Sequence, residues 1–320
     1  MTMNDILSKI RESNRIAITF HVSPDGDSIG SSLALLQGLL SIKKDAYIIC
    51  KETLPRDFAF LPFSKVIDSN TVSVKQGTDC VIVLDCGDVK RINGDINIDT
   101  RKYTLVNIDH HLSNEMYGDI NYIDTKAAAI SEIIYSMLKA LNIKITSDIA
   151  SCLYTSLITD TGSFKYNNTT SNTHLVAADL INTGMDFSEI HRTIFENKPF
   201  IKLKLMGKVL DTLELENNLI CSMCVTKKII EDLNIKEDVD SSELIAAAME
   251  IDSIDCAVLF KETDDGYKIS LRSKNIVDVS KVAESLGGGG HKRAAGAFIK
   301  NKDLNTVKEK VLNLIKNELV

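Results

Sequence analysis

Val106-Asn107-Ile108-Asp109-His110-His111 closes the apolar run 104–108, which has the composition of a buried strand. The run ends in one carboxylate followed by two imidazoles. Successive residues of an extended chain point to opposite sides. The three groups therefore divide between partners, one histidine facing a metal or a phosphate and the other a different group. In the alternative reading Asp109 caps a turn beside two ordinary surface histidines, and short motifs of this kind arise by chance. The other acidic segments favour the first reading, because each ends a similar strand.

The first of these is His21-Val22-Ser23-Pro24-Asp25-Gly26-Asp27-Ser28. A strand over 15–21 ends at His21, Pro24 and Gly26 force a turn, and 28–40 has helical apolar spacing. One of the two aspartates can serve as an N-cap, which leaves the other and the histidine unexplained. Gly30, early in that helix, lets another backbone or a ligand approach. The strand 80–84 ends in Asp85-Cys86-Gly87-Asp88, where Asp85 is a candidate ligand and Asp88 a cap. The helix 147–159 runs into Asp160-Thr161-Gly162. A carboxylate at a helix C-terminus opposes the macrodipole, and a residue placed against a local rule is a functional candidate.

The chain has 320 residues, 44% hydrophobic and 25% charged, with a net charge of −7. That length suggests two domains. No apolar run approaches the roughly 20 residues needed to span a bilayer, and residues 1–13 lack a signal-peptide pattern. The expectation is a cytoplasmic protein with no membrane partner. The acidic balance argues against long-duplex nucleic acid, whose binders carry a broad basic face. A short nucleic acid held by a local basic cluster is compatible with it. The seven cysteines are scattered and odd in number, so they form no disulfide framework. Cys221 and Cys224 lie three apart in a strand-like run and face opposite ways.

Alternating strands and helices predict an α/β fold, an N-terminal doubly wound, mostly parallel sheet domain over 1–185. A helical linker over 186–204 leads to a smaller C-terminal α+β domain over 205–320. Its strands fall near 219–226, 255–261, 267–272 and 297–300, and its last helix spans 304–319.

His21, Asp25, Asp27, Asp85, His110 and Asp160 form a hard, mixed O/N donor set. It suits Mn²⁺ or Mg²⁺ better than a structural zinc. Six ligands suit two ions about 3.5–4 Å apart that share a carboxylate, a pair that activates a bridging water and polarises a phosphoryl oxygen. The reaction class is phosphoester or phosphoanhydride hydrolysis. A second site lies at Gly287-Gly288-Gly289-Gly290-His291-Lys292-Arg293. Glycines let backbone N–H groups curl around an anion. Arg272, Ser273 and Lys274 add to this small anion-binding patch.

In these segments the chain resembles a DHH-family phosphoesterase with the DHH-associated C-terminal domain. The matching motifs are 21–30, Val83-Leu84-Asp85-Cys86-Gly87-Asp88, Asp109-His110-His111, Asp160-Thr161-Gly162, Arg272-Ser273 with Asp278-Val279, and Gly288-Gly289-Gly290-His291. They run through both domains in family order, and the pattern is most similar to the short nanoRNase/pAp phosphatase branch. The resemblance implies two Mn²⁺. His21 and Asp25 would hold one, Asp27, His110 and Asp160 the other, with Asp85 bridging. Asp109 would orient the site and His111 would contact the scissile phosphate. Arg272, Ser273, Gly288, Gly289, Gly290, His291 and Arg293 would hold the substrate's phosphate and terminal nucleotide. The implied substrates are short single-stranded RNA or dinucleotides such as pApA, and pAp, with a homodimer as an admissible assembly. Ser163 departs from relatives that carry Arg after the Asp-Thr-Gly.

Three other readings stand behind this one. The runner-up is a cyclic or linear di-adenylate phosphodiesterase. A manganese inorganic pyrophosphatase shares the first domain but not the glycine-rich His291 loop. A non-catalytic dinucleotide sensor would be expected to lack ligands.

Overall fold

The structure is a computed structural model and describes residues 2–236, 239, 241–300 and 303–319. It divides into two compact units, Met1–Asn197 and Lys198–Val320. The first unit contains α1 (Met3–Glu12), β1 (Arg15–Thr19), α2 (Gly26–Ser41), β2 (Asp45–Ile48), β3 (Cys80–Leu84) and β4 (Thr104–Asp109). It continues with β5 (Ile120–Ile123), α3 (Ile130–Ala140), α4 (Ser147–Asp160), α5 (Ser171–Ile181) and α6 (Phe187–His191). All five strands are parallel, in the order β2-β1-β3-β4-β5. The chain adds β2 on one side of β1 and β3 to β5 on the other. The order therefore reverses between β1 and β3, which is where open α/β sheets bind ligands at the strands' carboxyl ends.

Strand alternation sorts the side chains into two layers. Ile16, Ile18, Ile82, Val106 and Ile108 share a core with Ile6, Leu33, Ile134, Leu153 and Val176 from the helices. Ala17, Val81, Val83 and Leu105 pack on the other face, against Val74, Ile96, Ile98 and Tyr103 of the irregular segments. β3 is buried along its whole length, as its unbroken apolar run requires.

α2 crosses α4 at very short range. A Cβ on Gly30 would lie 2.4 Å from the carbonyl oxygen of Cys152, and one on Gly26 would lie 2.5 Å from the Thr159 side chain. Residues four apart share a helix face, so the two glycines lay the first turn of α2 on the last turns of α4. The close approach expected at Gly30 is that of the α4 backbone. It carries Asp27 of α2 toward Asp160 at the end of α4.

The second unit contains α7 (Phe200–Leu210), β6 (Glu214–Glu216), β7 (Ile220–Val225), α8 (Lys227–Asp232), α9 (Ser242–Ala248) and β8 (Cys256–Glu262). Then follow β9 (Tyr267–Ser273), α10 (Val279–Ser285), β10 (Gly289–His291), β11 (Ala294–Ile299) and α11 (Leu304–Glu318). The sheet order is β10-β11-β9-β8-β7-β6. β7 and β8 run parallel, and the other pairs are antiparallel. Cys221 lies in the core with Leu205, Val209 and Leu244, while Cys224 lies in the opposite core with Val279, Val311 and Ile315. The two thiols of the CxxC are thus separated by the sheet. All seven cysteines are buried and free. The stretch 186–204, expected as a helical linker, divides between the units: Ile190 packs in the first core, and α7 seats Leu205 and Val209 in the second. Among the described residues, no helix is long and apolar enough to cross a membrane.

Candidate active site

Three strand ends build the centre of the first unit. His21 lies two residues beyond β1, Asp85 directly follows β3, and Asp109 is the last residue of β4. Asp85 has φ +54°, a left-handed conformation that costs most residues more than it costs Asp. The turn leaves its carboxylate almost wholly buried at the sheet's edge. Oδ2 lies 3.3 Å from His21 Nε2, and Oδ1 lies 3.6 Å from His110 Nε2. His21 Nε2 is also 3.6 Å from Asp25 Oδ2. His110 Nε2 is 3.7 Å from Asp27 Oδ2 and 3.8 Å from Asp160 Oδ2. The candidate ligand atoms thus gather into His21–Asp25–Asp85 and Asp27–His110–Asp160, and Asp85 also groups with Asp109, His110 and His111.

Each histidine is anchored through its other nitrogen. His21 Nδ1 lies 2.8 Å from the Val22 carbonyl and His110 Nδ1 lies 3.1 Å from the Ala127 carbonyl. Donation from Nδ1–H to a carbonyl turns Nε2 toward the carboxylates, and in the neutral ring that nitrogen carries the lone pair a metal would use. Asp25 does two things at once. Its Oδ1 accepts from Ser28 N–H as the N-cap of α2, while Oδ2 faces His21. Asp27 is fixed from the far side. Ser156 Oγ donates to it at 2.5 Å, and Ile130 N–H reaches both of its oxygens. Its carboxylate thereby caps α3, whose N-cap residue is Ala129 and supplies no side-chain acceptor of its own.

The cluster holds more negative charge than its surroundings can solvate. Burial opposes a charge on His21, yet Asp25 and Asp85 push its pKa up to about 10. Burial likewise opposes a charge on His110, and Asp85 with Asp27 raises it to about 10. For Asp85 the cost of burial is outweighed by His110 and His21, which hold it well below the usual carboxylate range. Burial and the charges of Asp85 and Asp160 drive Asp27 well upward. Burial, opposed by His110 and helped by Asp85 and Asp25, raises Asp160 to about 6. Apart from that of Asp85, these shifts favour proton uptake by the cluster in the absence of metal, the competition expected of a cation-binding site. Asp85 Oδ1 is buried and has no hydrogen-bond partner among the described residues. A buried acceptor of this kind is rare in a finished structure. Together with the hard O/N donor set, it marks these clustered residues as groups that could hold divalent metal.

Asp109 is fully buried and stands to one side of that set. Oδ1 accepts from the His110 N–H at 2.8 Å and pairs with His111 Nδ1 at 2.7 Å, and Oδ2 accepts from Asn114 Nδ2 at 2.5 Å. Asn114 also donates to Asn107 Oδ1. Asn114 carries no mark in the sequence beyond lying three residues past His111. In the Asp160 turn, Gly162, Ser163 and Phe164 are all left-handed, and Ser163 Oγ contacts His191 Nε2 at 2.9 Å.

In the second unit, Gly289, Gly290 and His291 form β10, an exposed strand paired with β11. Cβ atoms on Gly288 and Gly290 would meet Gly296 O and Ala295 Cα at 2.1 and 2.5 Å, whereas Gly289 faces open space. Arg272 lies on β9 opposite Ala294 of β11. Ser273 and Arg293 turn inward. Ser273 Oγ donates to the Val277 carbonyl, and the Arg293 guanidinium donates to Ser273 Oγ and to the Val277 and Asn275 carbonyls. Lys274 Nζ donates to the Ile251 carbonyl. Asp255 accepts the N–H groups of Asn275, Ile276 and Val277, so this loop is held at several points.

Residues 15–157 match the N-terminal domain of the DHH family, and residues 223–319 match the DHHA1 domain. The chain belongs to the DHH family, and the class of protein is a hydrolytic phosphoesterase. It is similar to the bifunctional oligoribonuclease and PAP phosphatase NrnA of Thermus thermophilus, at 32% identity over 304 residues covering 95% of this chain and 90% of the relative. The protein of the same name from Bacillus subtilis is 30% identical over 306 residues, covering 93% and 94%. The crystal structure of an exopolyphosphatase-related protein from Bacteroides fragilis superposes with a TM-score of 0.84, at 26% identity and 99% and 95% coverage.

Proposed function

We propose that this protein hydrolyses short RNA oligonucleotides to nucleoside 5′-monophosphates with two Mn²⁺ or Mg²⁺ ions, and removes the 3′-phosphate of pAp as a second activity. The observation that carries the reading is Asp85, a buried carboxylate whose two oxygens face two separate histidine-anchored ligand groups. His21 and Asp25 would hold one ion, Asp27, His110 and Asp160 the other, and Asp85 both. Such a pair supplies an activated water and charge stabilisation for in-line displacement.

The chain's own residues do the rest. The carbonyls of Val22 and Ala127 keep the two ligand imidazoles in one tautomer. Asp109 holds His111 with its Nε2 free for a non-bridging phosphate oxygen, where charge develops as phosphorus is attacked. In the overall reaction the oxygen of water joins phosphorus, the P–O3′ bond breaks, and the 3′ oxygen leaves with a proton. In the second unit Arg272, His291 and the Gly289 backbone would take the substrate's terminal phosphate. Ser273 and Arg293 shape the loop beneath, and Gly288 and Gly290 permit the close pairing of β10 with β11. A net charge of −7 favours a short substrate held by few cations over a long duplex. The names of the Thermus and Bacillus relatives support the same two substrates.

The test is a parallel assay with Mn²⁺ on a five-nucleotide RNA, pApA, pAp, a cyclic di-adenylate, pyrophosphate and a long single strand. The double variant Asp109→Ala/His110→Ala serves as the control. Mononucleotides from the short RNA and pApA, phosphate from pAp, and loss of both in the control are the expected results. Turnover of pyrophosphate alone would overturn the proposal.

A further inference from the structure

Between the fixed end of β1 and the cap of α2, His21 sits on a loop, and the structure shows what keeps that loop in place. Asn93 is completely buried, and its side-chain amide is fully engaged. Oδ1 accepts from Lys51 N–H at 2.8 Å and from Glu52 N–H at 3.3 Å, just beyond β2. Nδ2 donates to the His21 carbonyl at 3.4 Å and to Glu52 Oε2 at 2.9 Å. The same Glu52 oxygen accepts from Ser23 N–H at 2.7 Å, and Ser23 is left-handed, with φ +56°. The Asn93 N–H donates to the Phe20 carbonyl, and Val22 N–H donates to the Arg91 carbonyl. The segment 20–23 is thus clamped on both sides of His21, by one buried amide and one carboxylate that have no place among the candidate ligands.

We infer that Asn93 and Glu52 are positioning residues for His21, setting where its Nε2 stands and so the affinity of the ion site it shares with Asp25 and Asp85. This rests on the two-ion reading above. The physical reason is geometric. A ligand's affinity depends on the groups that orient it, and losing such a group typically costs about 10–100-fold in metal binding. A buried amide with every donor and acceptor satisfied fixes its neighbours more tightly than a solvated one. Asn93→Asp keeps the shape but turns the donor into an anion facing the His21 carbonyl and Glu52, so the clamp opens. Glu52→Gln keeps an oxygen that can accept from both Ser23 N–H and Asn93 Nδ2, so the clamp holds.

The experiment is a Mn²⁺ titration of the full chain, with free ion followed by electron paramagnetic resonance, beside thermal melting of the metal-free proteins. Wild type should bind two ions. Asn93→Asp should lose roughly 10–100-fold in affinity for one ion and keep the other, and Glu52→Gln should stay near wild type. Wild-type affinity for both ions in folded Asn93→Asp, with only a lowered melting temperature, would overturn the inference. If Asn93→Asp does not fold, Glu52→Ala at its partly exposed site takes its place. That variant should weaken the same single ion, and unchanged binding would count against the inference. Failure of the two-ion reading looks different, because wild type itself would then not bind two ions.

Discussion

Asp109 and His111, two residues apart at the end of β4, face each other with Oδ1 2.7 Å from Nδ1. The carboxylate is 0% exposed and the imidazole side chain 49% exposed. A buried anion thus holds a ring that reaches solvent. Burial pushes the Asp109 pKa up, but His111 and Asn114 outweigh it and keep the carboxyl below its usual value. The buried partner therefore stays charged, and it favours a protonated His111.

Replacing Asp109 by Asn keeps an oxygen for the His110 N–H and removes the charge. kcat/KM on pApA should fall by about 10–100-fold, and the melting temperature should drop too, because the new amide N–H faces the Asn114 Nδ2 donor in a buried site. A loss below twofold in steady-state kinetics would mean that His111 does not need this partner.

Metal binding should release protons, because His21 and His110 have pKa values raised to about 10 and carry protons at neutral pH in the metal-free protein. Mn²⁺ affinity should therefore rise with pH. Calorimetry in buffers of different ionisation enthalpy should report net proton release, with the two histidine protons as its lower bound. The sign for stability follows from the same shifts. In metal-free protein the two histidines contribute stability that is complete below about pH 6.5 and is lost as pH rises through about 10. Chelator-treated protein should melt at progressively lower temperature over that window, and Mn²⁺ should raise the midpoint throughout it.

Gly30→Ala should be costly although Ala is the better helix former. The new methyl would lie 2.4 Å from the Cys152 carbonyl and 3.0 Å from Ser156 N, both backbone atoms. Forced separation of α2 and α4 costs about 1–3 kcal/mol. It also moves Asp27 away from Asp160, so denaturant unfolding and Mn²⁺ binding should weaken together. A neutral variant would show that the helices can slide apart freely.

Asp255 tests the second unit. Burial raises its pKa, but the N–H groups of Val277, Ile276 and Asn275 outweigh that and leave it lowered. Its contribution is therefore complete above about pH 4 and is lost as pH falls through the folded value. Asp255→Ala leaves three N–H groups without their acceptor and should cost on the order of 3 kcal/mol at pH 7. The gap from wild type should narrow in urea unfolding at more acid pH.

The parts of the fold that could be read in the sequence are those written in local pattern. β3 is an unbroken apolar run and was bounded at Cys80–Leu84. The helices α2 and α4 announce themselves through apolar spacing, and the turn residues between β1 and α2 place His21 and Asp25. The doubly wound order with ligands at the strand ends follows from alternation of the elements. Other features depend on distant partners. The start of α3 at Ile130 is set by Asp27, 103 residues earlier, whose carboxylate caps it. β5 is a partly exposed edge strand of four residues, too short for its pattern to be counted. β10 is Gly-Gly-His, poor in strand propensity and paired with β11. Arg293 and Ser273 read as ligand contacts by residue type, yet their polar atoms bind the loop 273–277. Asn93, Glu52 and Asn114 are ordinary polar residues until the fold sets them beside His21 and Asp109.

The measurement that tests the account most directly is diffraction from a Mn²⁺-soaked crystal at the manganese edge. Two anomalous peaks are expected, about 3.5–4 Å apart, one beside His21 and Asp25 and one beside Asp27, His110 and Asp160, with one Asp85 oxygen on each. A single peak, or two peaks that Asp85 does not join, would contradict it.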